Sequence, residues 1–409
     1  MGTQHGALSG GRTNLVLATL FFGVFVLGCA ELLVVGLLNL IAADLQVSVP
    51  AAGRLVTTYA LGLAVGGPVL MALTIKLNKR RVLIGALVVF ILANLVAVLI
   101  PGYGLFVAAR VLAGAVQGLF IAAGFVTGTS IVPPERAGRA ISVIISGVAV
   151  AAALGVPLGT LAGQALGWRG SFTAIVVLAV VALIATLVLV PSVPGTGRGA
   201  AGQARYAFAP RVLAVLGLNF VVFASLYAAL TYIVPFLQHV TGITGAPVSV
   251  FLLAYGVATA VGSFGGGRFA DANAARTLIV ATTGTAVALG ALYFVGSIAF
   301  LVALMLLVWG LFAFGMTASL QLRVISLAGP GGALAQSLPA SAINVGIAFG
   351  SYAGGVAIGS FTASAPVITG LIIAVISIVA AWATSYLKPP AAKRAPGPAA
   401  AGEPGIEAA

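Results

Sequence analysis

Two residues stand where charge is expensive. Glu31 lies in the run LVLATLFFGVFVLGCAELLVVGLLNLIAAD, residues 15–44, where nothing between Leu15 and Ala43 is charged except Glu31 itself. Arg110 lies in a second apolar run, 104–130. A carboxylate at such a depth costs about 2.5–3.5 kcal/mol on membrane-insertion scales and by default marks a functional site. The chemistry open to it is reversible protonation, because a low-dielectric site favours the neutral acid. The other reading is a permanently protonated Glu31 that hydrogen-bonds a neighbouring helix. Arg110 needs a partner or water. Glu31 is the one carboxylate in an apolar run, and Asp44, at the end of the same run, is a second possible partner. Alternatively Arg110 snorkels to the surface. The remaining acids fall in loops or in the tail: Asp44, Glu135, Asp271, Glu403 and Glu407.

Further polar groups interrupt other apolar runs: Tyr59, Asn94, Gln117, Asn219, Tyr227, Thr231, Tyr232, Tyr255, Gln321, Asn344 and Tyr352. Tyr59, Asn94, Gln117, Tyr227, Thr231, Tyr232, Tyr255, Asn344 and Tyr352 are candidates for an aromatic-walled cavity with a few polar groups, the usual make-up of a small-molecule site. Each one is also explained by a hydrogen bond between helices.

The elements that must position these residues are membrane helices. The chain of 409 residues is 61% hydrophobic and only 6% charged, whereas soluble domains carry about 25% charged residues. Its 54 glycines suit membrane helices that pack backbone to backbone. Twelve apolar runs are long enough to cross a bilayer: 15–42, 51–73, 82–100, 104–130, 140–163, 171–190, 212–238, 248–264, 278–296, 298–321, 336–359 and 366–386. The break near Gly296 is the weakest. The first run is too long for a cleaved signal peptide. The single cysteine, Cys29, excludes a disulfide framework or thiolate cluster.

The net charge of +13 would suit a nucleic-acid partner if it were clustered on a soluble face. It is not. Sixteen of the 19 Lys and Arg residues flank the even-numbered runs or the N-terminus, while Arg54 and Arg169 fall in the opposite loops and Arg110 inside a run. That asymmetry is a topology signal, and it predicts both termini in the cytoplasm of a multi-pass protein in the cell (inner) membrane. No nucleic-acid partner is expected. The partners expected are the lipid bilayer, a small-molecule substrate and protons, with the chain acting as a monomer.

The one long internal connection, 191–211, is rich in Pro, Gly and Ala and reads as a flexible cytoplasmic linker. It divides the runs six and six. The expected organisation is a cytoplasmic N-terminal segment 1–13, a six-helix bundle 14–190, the linker 191–211, a second bundle 212–387 and a disordered tail 388–409. The halves echo each other at an offset of about 195 residues. Tyr59 and Gly66 match Tyr255 and Gly262, Gly155 and Gly159 match Gly350 and Gly354, and Glu31 matches Tyr227. The fold class is all-α, with twelve transmembrane helices in two pseudo-symmetric six-helix bundles. Such parallel halves handle substrate near the midplane between them.

The fifth run carries Gly147, Ala151, Gly155, Gly159 and Gly163 four apart, with Pro157 as a bend; the eleventh repeats the pattern with Ala342, Gly346, Gly350 and Gly354. A stripe of this kind means close helix packing, expected here against the other half of the molecule as a sliding or kinking interface. Generic membrane packing is the alternative.

The run GVAVAAALGVPLGTLAG resembles the antiporter motif on helix five of the major facilitator superfamily. CAELLVVGLLNLIAADLQVSVPAAGRLVTTYALGLAVGGP resembles the opening of the chloramphenicol-resistance and arabinose-type efflux branch of its twelve-helix drug:proton antiporters. NKRRVL, AARVLAGAVQG, VPPERAGRA, YAALTYIVPFLQHVTG and SAINVGIAFGSYAGGVAIG continue the likeness over roughly 15–386. The resemblance implies that Arg110 is the helix-four arginine connected with proton coupling. The motif between helices two and three departs from the family pattern. Ala72 stands for its glycine and Lys76 for its aspartate, and only Lys79, Arg80 and Arg81 remain. The second copy keeps Gly267, Asp271 and Arg276, so Asp271 is either a cytoplasmic-gate acid paired with Arg268 or Arg276, or a solvated loop acid. Asn39 replaces the proline usual in the branch, so helix one is expected to be less kinked.

No phosphate-binding loop, nucleophile elbow or zinc pattern occurs, and His5 and His239 lie outside the runs. No cofactor, no metal and no enzymatic activity are expected, nor ATP-driven transport by this chain alone. The function expected is proton-coupled export of a small neutral or amphiphilic molecule, such as a phenicol drug, by alternating access. Export of a sugar, nucleoside or other metabolite, or uncoupled uniport or import, are the alternatives.

Overall fold

The structure, a computed structural model, describes residues 10–133, 136–195, 206, 208–329, 335 and 338–390, apart from the side chain of Phe264. The expected disordered stretch from 391 onward, residues 1–9, most of the 191–211 linker and Glu135 lie outside them.

Among the described residues the chain is all helix and turn, without strand. Ten stretches are long and apolar enough to cross a bilayer, and Pro247–Ser263 is a shorter apolar one. The stretch Ala137–Leu189 has 53 residues, about 80 Å at 1.5 Å per residue, and it breaks at Gly167, where φ is +74°. Only glycine adopts that conformation readily, so the stretch makes two crossings. In crossing order the helices are α1 (Gly10–Asp44), α2 (Val49–Leu73), α3 (Lys79–Leu99), α4 (Tyr103–Ser130), α5 (137–166), α6 (168–189), α7 (Pro210–His239), α8 (247–272), α9 (274–294), α10 (Ala299–Ala328), α11 (Leu338–Ser360) and α12 (Ala365–Ser385). The expectation of twelve crossings holds, including the weak break near Gly296, which is a turn between Phe294 and Ala299.

The irregularities follow from sequence. Pro68, Pro157 and Pro235 each lack an N–H for the carbonyl four residues back. The chain answers with a π-turn at Gly62–Gly66, a second at Ala151–Gly155 and a break at Thr231–Tyr232. Asn78 caps α3 by accepting from Arg80 N at 3.0 Å, and its repeat mate Asn273 caps α9 by accepting from Arg276 N at 2.9 Å. α8 and α9 are thereby separated in the middle of one helical stretch of 48 residues. α1 contains no proline and runs unbroken over 35 residues, in keeping with Asn39 in place of proline.

The small-residue stripe of α5 corrects an expectation. It packs not on the other half but on α1. A Cβ at Gly147 would stand 2.6 Å from the Phe21 carbonyl oxygen, and Gly155, Gly159 and Gly163 face Cys29, Leu33 and Leu37 in turn. Both helices advance four residues per contact, so one glycine ridge fits one side of α1 throughout. In the second half α11 does the same on α7, with Gly346, Gly350 and Gly354 over the carbonyls of Phe220, Ala224 and Ala228. Contact between the halves runs through other residues: α2 against α11, α5 against α8, and the end of α1 against the end of α7.

Candidate functional site

Glu31, Arg110, Tyr59 and Gln117 form one connected array where α1, α2 and α4 cross. α4 supplies Arg110 and Gln117, two turns apart on one face, and α2 supplies Tyr59. Gly114 lies between the two α4 side chains and lets the helices close up, since a Cβ there would collide with the Tyr59 carbonyl. Gln117 Nε2 donates to Glu31 Oε2 at 2.6 Å, and the Tyr59 hydroxyl donates to Gln117 Oε1. The Arg110 guanidinium lies over the Tyr59 ring, 3.9 Å from its centroid. Arg110 Nε donates to Leu55 O at 3.2 Å, one terminal nitrogen to Ala30 O at 2.8 Å and the other to Glu31 O at 3.1 Å.

Arg110 is therefore fully buried and does not snorkel. Its cation rests on three backbone carbonyls and an aromatic face, not on the Glu31 carboxylate, although it acts on that carboxylate electrostatically. Glu31 itself is only half-buried and keeps neutral Gln117 as its hydrogen-bond partner. This division has a chemical consequence. The carboxyl group can gain or lose a proton without leaving the guanidinium unpaired.

Asp44 belongs elsewhere. At the far end of α1 it forms an ion pair with Arg169 and accepts from Trp168 Nε1 at 3.0 Å, so the structure does not bring it to Arg110. The pair is exposed and Arg169 lies over the Trp168 ring.

The other polar candidates divide. Thr231, fully buried, bonds Tyr227 O and Ser351 Oγ, each at 2.7 Å, and the Tyr232 hydroxyl donates to Ser351 O at 3.0 Å; these tie α7 to α11. Asn94 and Asn344 each donate to a carbonyl one turn back on their own helix, and Asn344 Oδ1 has no hydrogen-bond partner among the described residues. Tyr227 is buried and interacts electrostatically with both Glu31 and Tyr255. Tyr352 is 53% exposed on α11, apart from the rest.

At the basic end of the molecule Lys79 is buried and donates to Thr74 O and Ile75 O, Arg80 reaches Leu187 O, and Arg81 is exposed. Lys79 ties down the α2–α3 turn, and Arg80 links α3 to α6. Gly267 and Arg276 flank the exposed Asp271 on α8 and α9, and Asp271 makes no ion pair among the described residues. Asp271, Asn273 and Arg323 instead line a cavity of about 360 Å³. A cavity of about 500 Å³ opens at the opposite end, lined by Asn39, Gln46, Gln238 and His239 among others. Neither cavity is lined by the array.

Two features escaped the sequence reading. Asn39 donates to Gln238 across the halves, and the Trp309 ring packs against that of Tyr255 at a tilt of 54°. The only signal for the second was its place one residue before Gly310, the repeat mate of Gly114.

The model of the Major Facilitator Superfamily matches residues 20–337. The chain belongs to that superfamily. YtbD of Bacillus subtilis (strain 168), an uncharacterised MFS-type transporter, is 34% identical over 355 residues, which cover 85% of this chain and 90% of YtbD. A chloramphenicol resistance protein of Streptomyces lividans is 32% identical over 381 residues, covering 90% of this chain and 95% of that one. Among solved structures, a bacterial homologue of the human lysosomal transporter Spinster, inward-facing and unoccupied, matches with a TM-score of 0.74 over 92% of this chain and 98% of its own, at 15% identity. That last likeness is one of fold. This superfamily member is an integral membrane transporter and not an enzyme.

Proposed function

We propose that the protein is a proton-driven exporter of a small, neutral or amphiphilic molecule, and that Glu31 carries the proton. The observation that supports this most is the separation of the two charges: Glu31 is held by Gln117, while Arg110 is satisfied by Ala30 O, Glu31 O and Leu55 O. A protonation site must hold its surroundings together in both charge states, and a guanidinium satisfied without the carboxylate supports that reading. The relative from Streptomyces lividans, named for chloramphenicol resistance, makes a phenicol the first substrate to test. The basic loops support a place in the cell membrane with both termini in the cytoplasm, and the resemblance to the drug:proton antiporter branch points the same way.

In this reading the cavity facing outward loads Glu31 with a proton. Passage to the inward-facing state exposes it to the cytoplasm, where substrate binding is coupled to proton release because substrate and proton oppose each other at the site. Asp271 and Lys79 serve the cytoplasmic end, and the α1–α5 glycine ridge keeps the first half moving as one body.

Proteoliposomes with an imposed pH gradient test the proposal. Wild type is expected to drive chloramphenicol against its gradient, and Glu31→Gln to retain fold and lose that drive. Gradient-driven transport by Glu31→Gln at the wild-type rate would overturn the role of Glu31. Equal wild-type transport with and without the gradient would overturn antiport.

A further inference from the structure

The two halves keep the same backbone contacts but not the same side chains. Gly114 presses on the Tyr59 carbonyl, and its mate Gly310 presses on the Tyr255 carbonyl, 2.8 Å from where its own Cβ would stand. In the first half the tyrosine hydroxyl is taken up by Gln117. In the second half the mate of Gln117 is Ala313 and the mate of Arg110 is Leu306, both buried. The Tyr255 hydroxyl has accordingly lost the partner its twin has, and no hydrogen bond among the described residues replaces it.

Beside it stands a second such group. Trp309 is 0% exposed, its ring lies 5.0 Å from that of Tyr255, centroid to centroid, and its indole Nε1 has no hydrogen-bond partner either. Buried polar groups are nearly always paired, and two unpaired donors on touching rings are not a feature that packing favours. The indole N–H can only donate, and the phenol can do so. What would satisfy both is acceptor oxygen. Tyr255 sits at the seam between the halves: the next residue, Gly256, lies against α5, 2.7 Å from the Ala152 carbonyl oxygen as measured from an added Cβ.

We propose that Tyr255 and Trp309 are the substrate-recognising wall of the second half. They offer an aromatic face and two donors to the carbonyl, nitro or hydroxyl oxygens of an uncharged molecule when the halves part. The proposal rests on the transport reading above and names the chemistry its substrate must have. The first half then supplies the ionisable machinery and the second half the neutral recognition. The internal repeat has diverged along that line.

Purified wild type, Tyr255→Phe and Trp309→Phe in detergent decide it, with chloramphenicol as the probe because it is uncharged, aromatic and rich in acceptor oxygens. Tyr255→Phe deletes one unpaired hydroxyl and nothing else, so without ligand its Tm is expected to equal or exceed that of wild type. Its affinity for chloramphenicol is expected to fall about tenfold, the worth of one lost hydrogen bond. Trp309→Phe loses volume as well, so only its affinity is read, with a similar loss expected. A lower ligand-free Tm for Tyr255→Phe would show that the hydroxyl has a partner within the fold, and would overturn the proposal. Wild-type affinity in both variants would overturn it too, and wild type failing to bind chloramphenicol would overturn the ligand class. Failure of the transport reading looks different: binding weakens as described, while proteoliposomes show no dependence on the pH gradient.

Discussion

At the scale of single residues, the array divides its labour by geometry. Arg110 uses Nε and both terminal nitrogens on three carbonyls from two helices. A lysine ammonium is a point donor and cannot span them. Arg110→Lys is therefore expected to leave at least one of these contacts unmade in a buried place, at about 1–3 kcal/mol, and to lower Tm as well as transport. A variant with wild-type Tm would show that the three-carbonyl cradle holds nothing together. The sequence made Glu31 and Arg110 conspicuous because charge in an apolar run is visible without a fold. It could not show that Arg110 would choose carbonyls over the carboxylate, since backbone acceptors are the same at every position. Nor could charge alone choose among partners for Asp44. Arg169, in the first turn of α6 at the same end, meets it at little desolvation cost, whereas Arg110 is committed inside.

At the scale of helices, the prolines and small residues govern shape. The bend expected at Pro157 is a π-turn, the same device that precedes Pro68. The stripe on α5 was legible as a close contact because its period matches the helix. Its partner was not legible, since a four-residue period says that something approaches, not what. α1 proves to be that partner. Gly147 gives the sharpest test, because an added Cβ meets backbone at Phe21 and Phe25, which cannot rotate away. Gly147→Val is expected to cost about 1–3 kcal/mol and to lower Tm. Gly217→Ala on α7, where an added Cβ meets nothing within 4 Å, is expected to leave Tm unchanged or raise it slightly through helix propensity. Equal Tm values for the two variants would contradict the α1–α5 ridge.

At the scale of the whole molecule, two bodies meet along α2–α11 and α5–α8 and are joined at the Asp44 end by Asn39 and Gln238. The twelve crossings and the two-fold repeat were readable from apolar lengths and from matched glycines and tyrosines. The contact between Asn39 and Gln238 was not, because a polar residue near a helix end needs no partner in the sequence. Removing it is expected to let the two halves move more freely at that end. Spin labels placed on the ends of α1 and α7 in Asn39→Ala should report a longer or broader distance distribution than in the parent protein. An unchanged distribution would mean that packing alone holds the halves together there. The central claim, that one proton at Glu31 opposes substrate, is tested most directly by proton release. Chloramphenicol added to the detergent-solubilised protein in weak buffer should liberate about one proton per bound molecule, because reciprocal coupling requires the bound state to hold fewer protons. For the same reason affinity should rise with pH until Glu31 is already deprotonated. Glu31→Gln should bind without release and without that pH dependence. Equal proton release from wild type and Glu31→Gln, or wild-type binding with no release at any pH, would contradict the account.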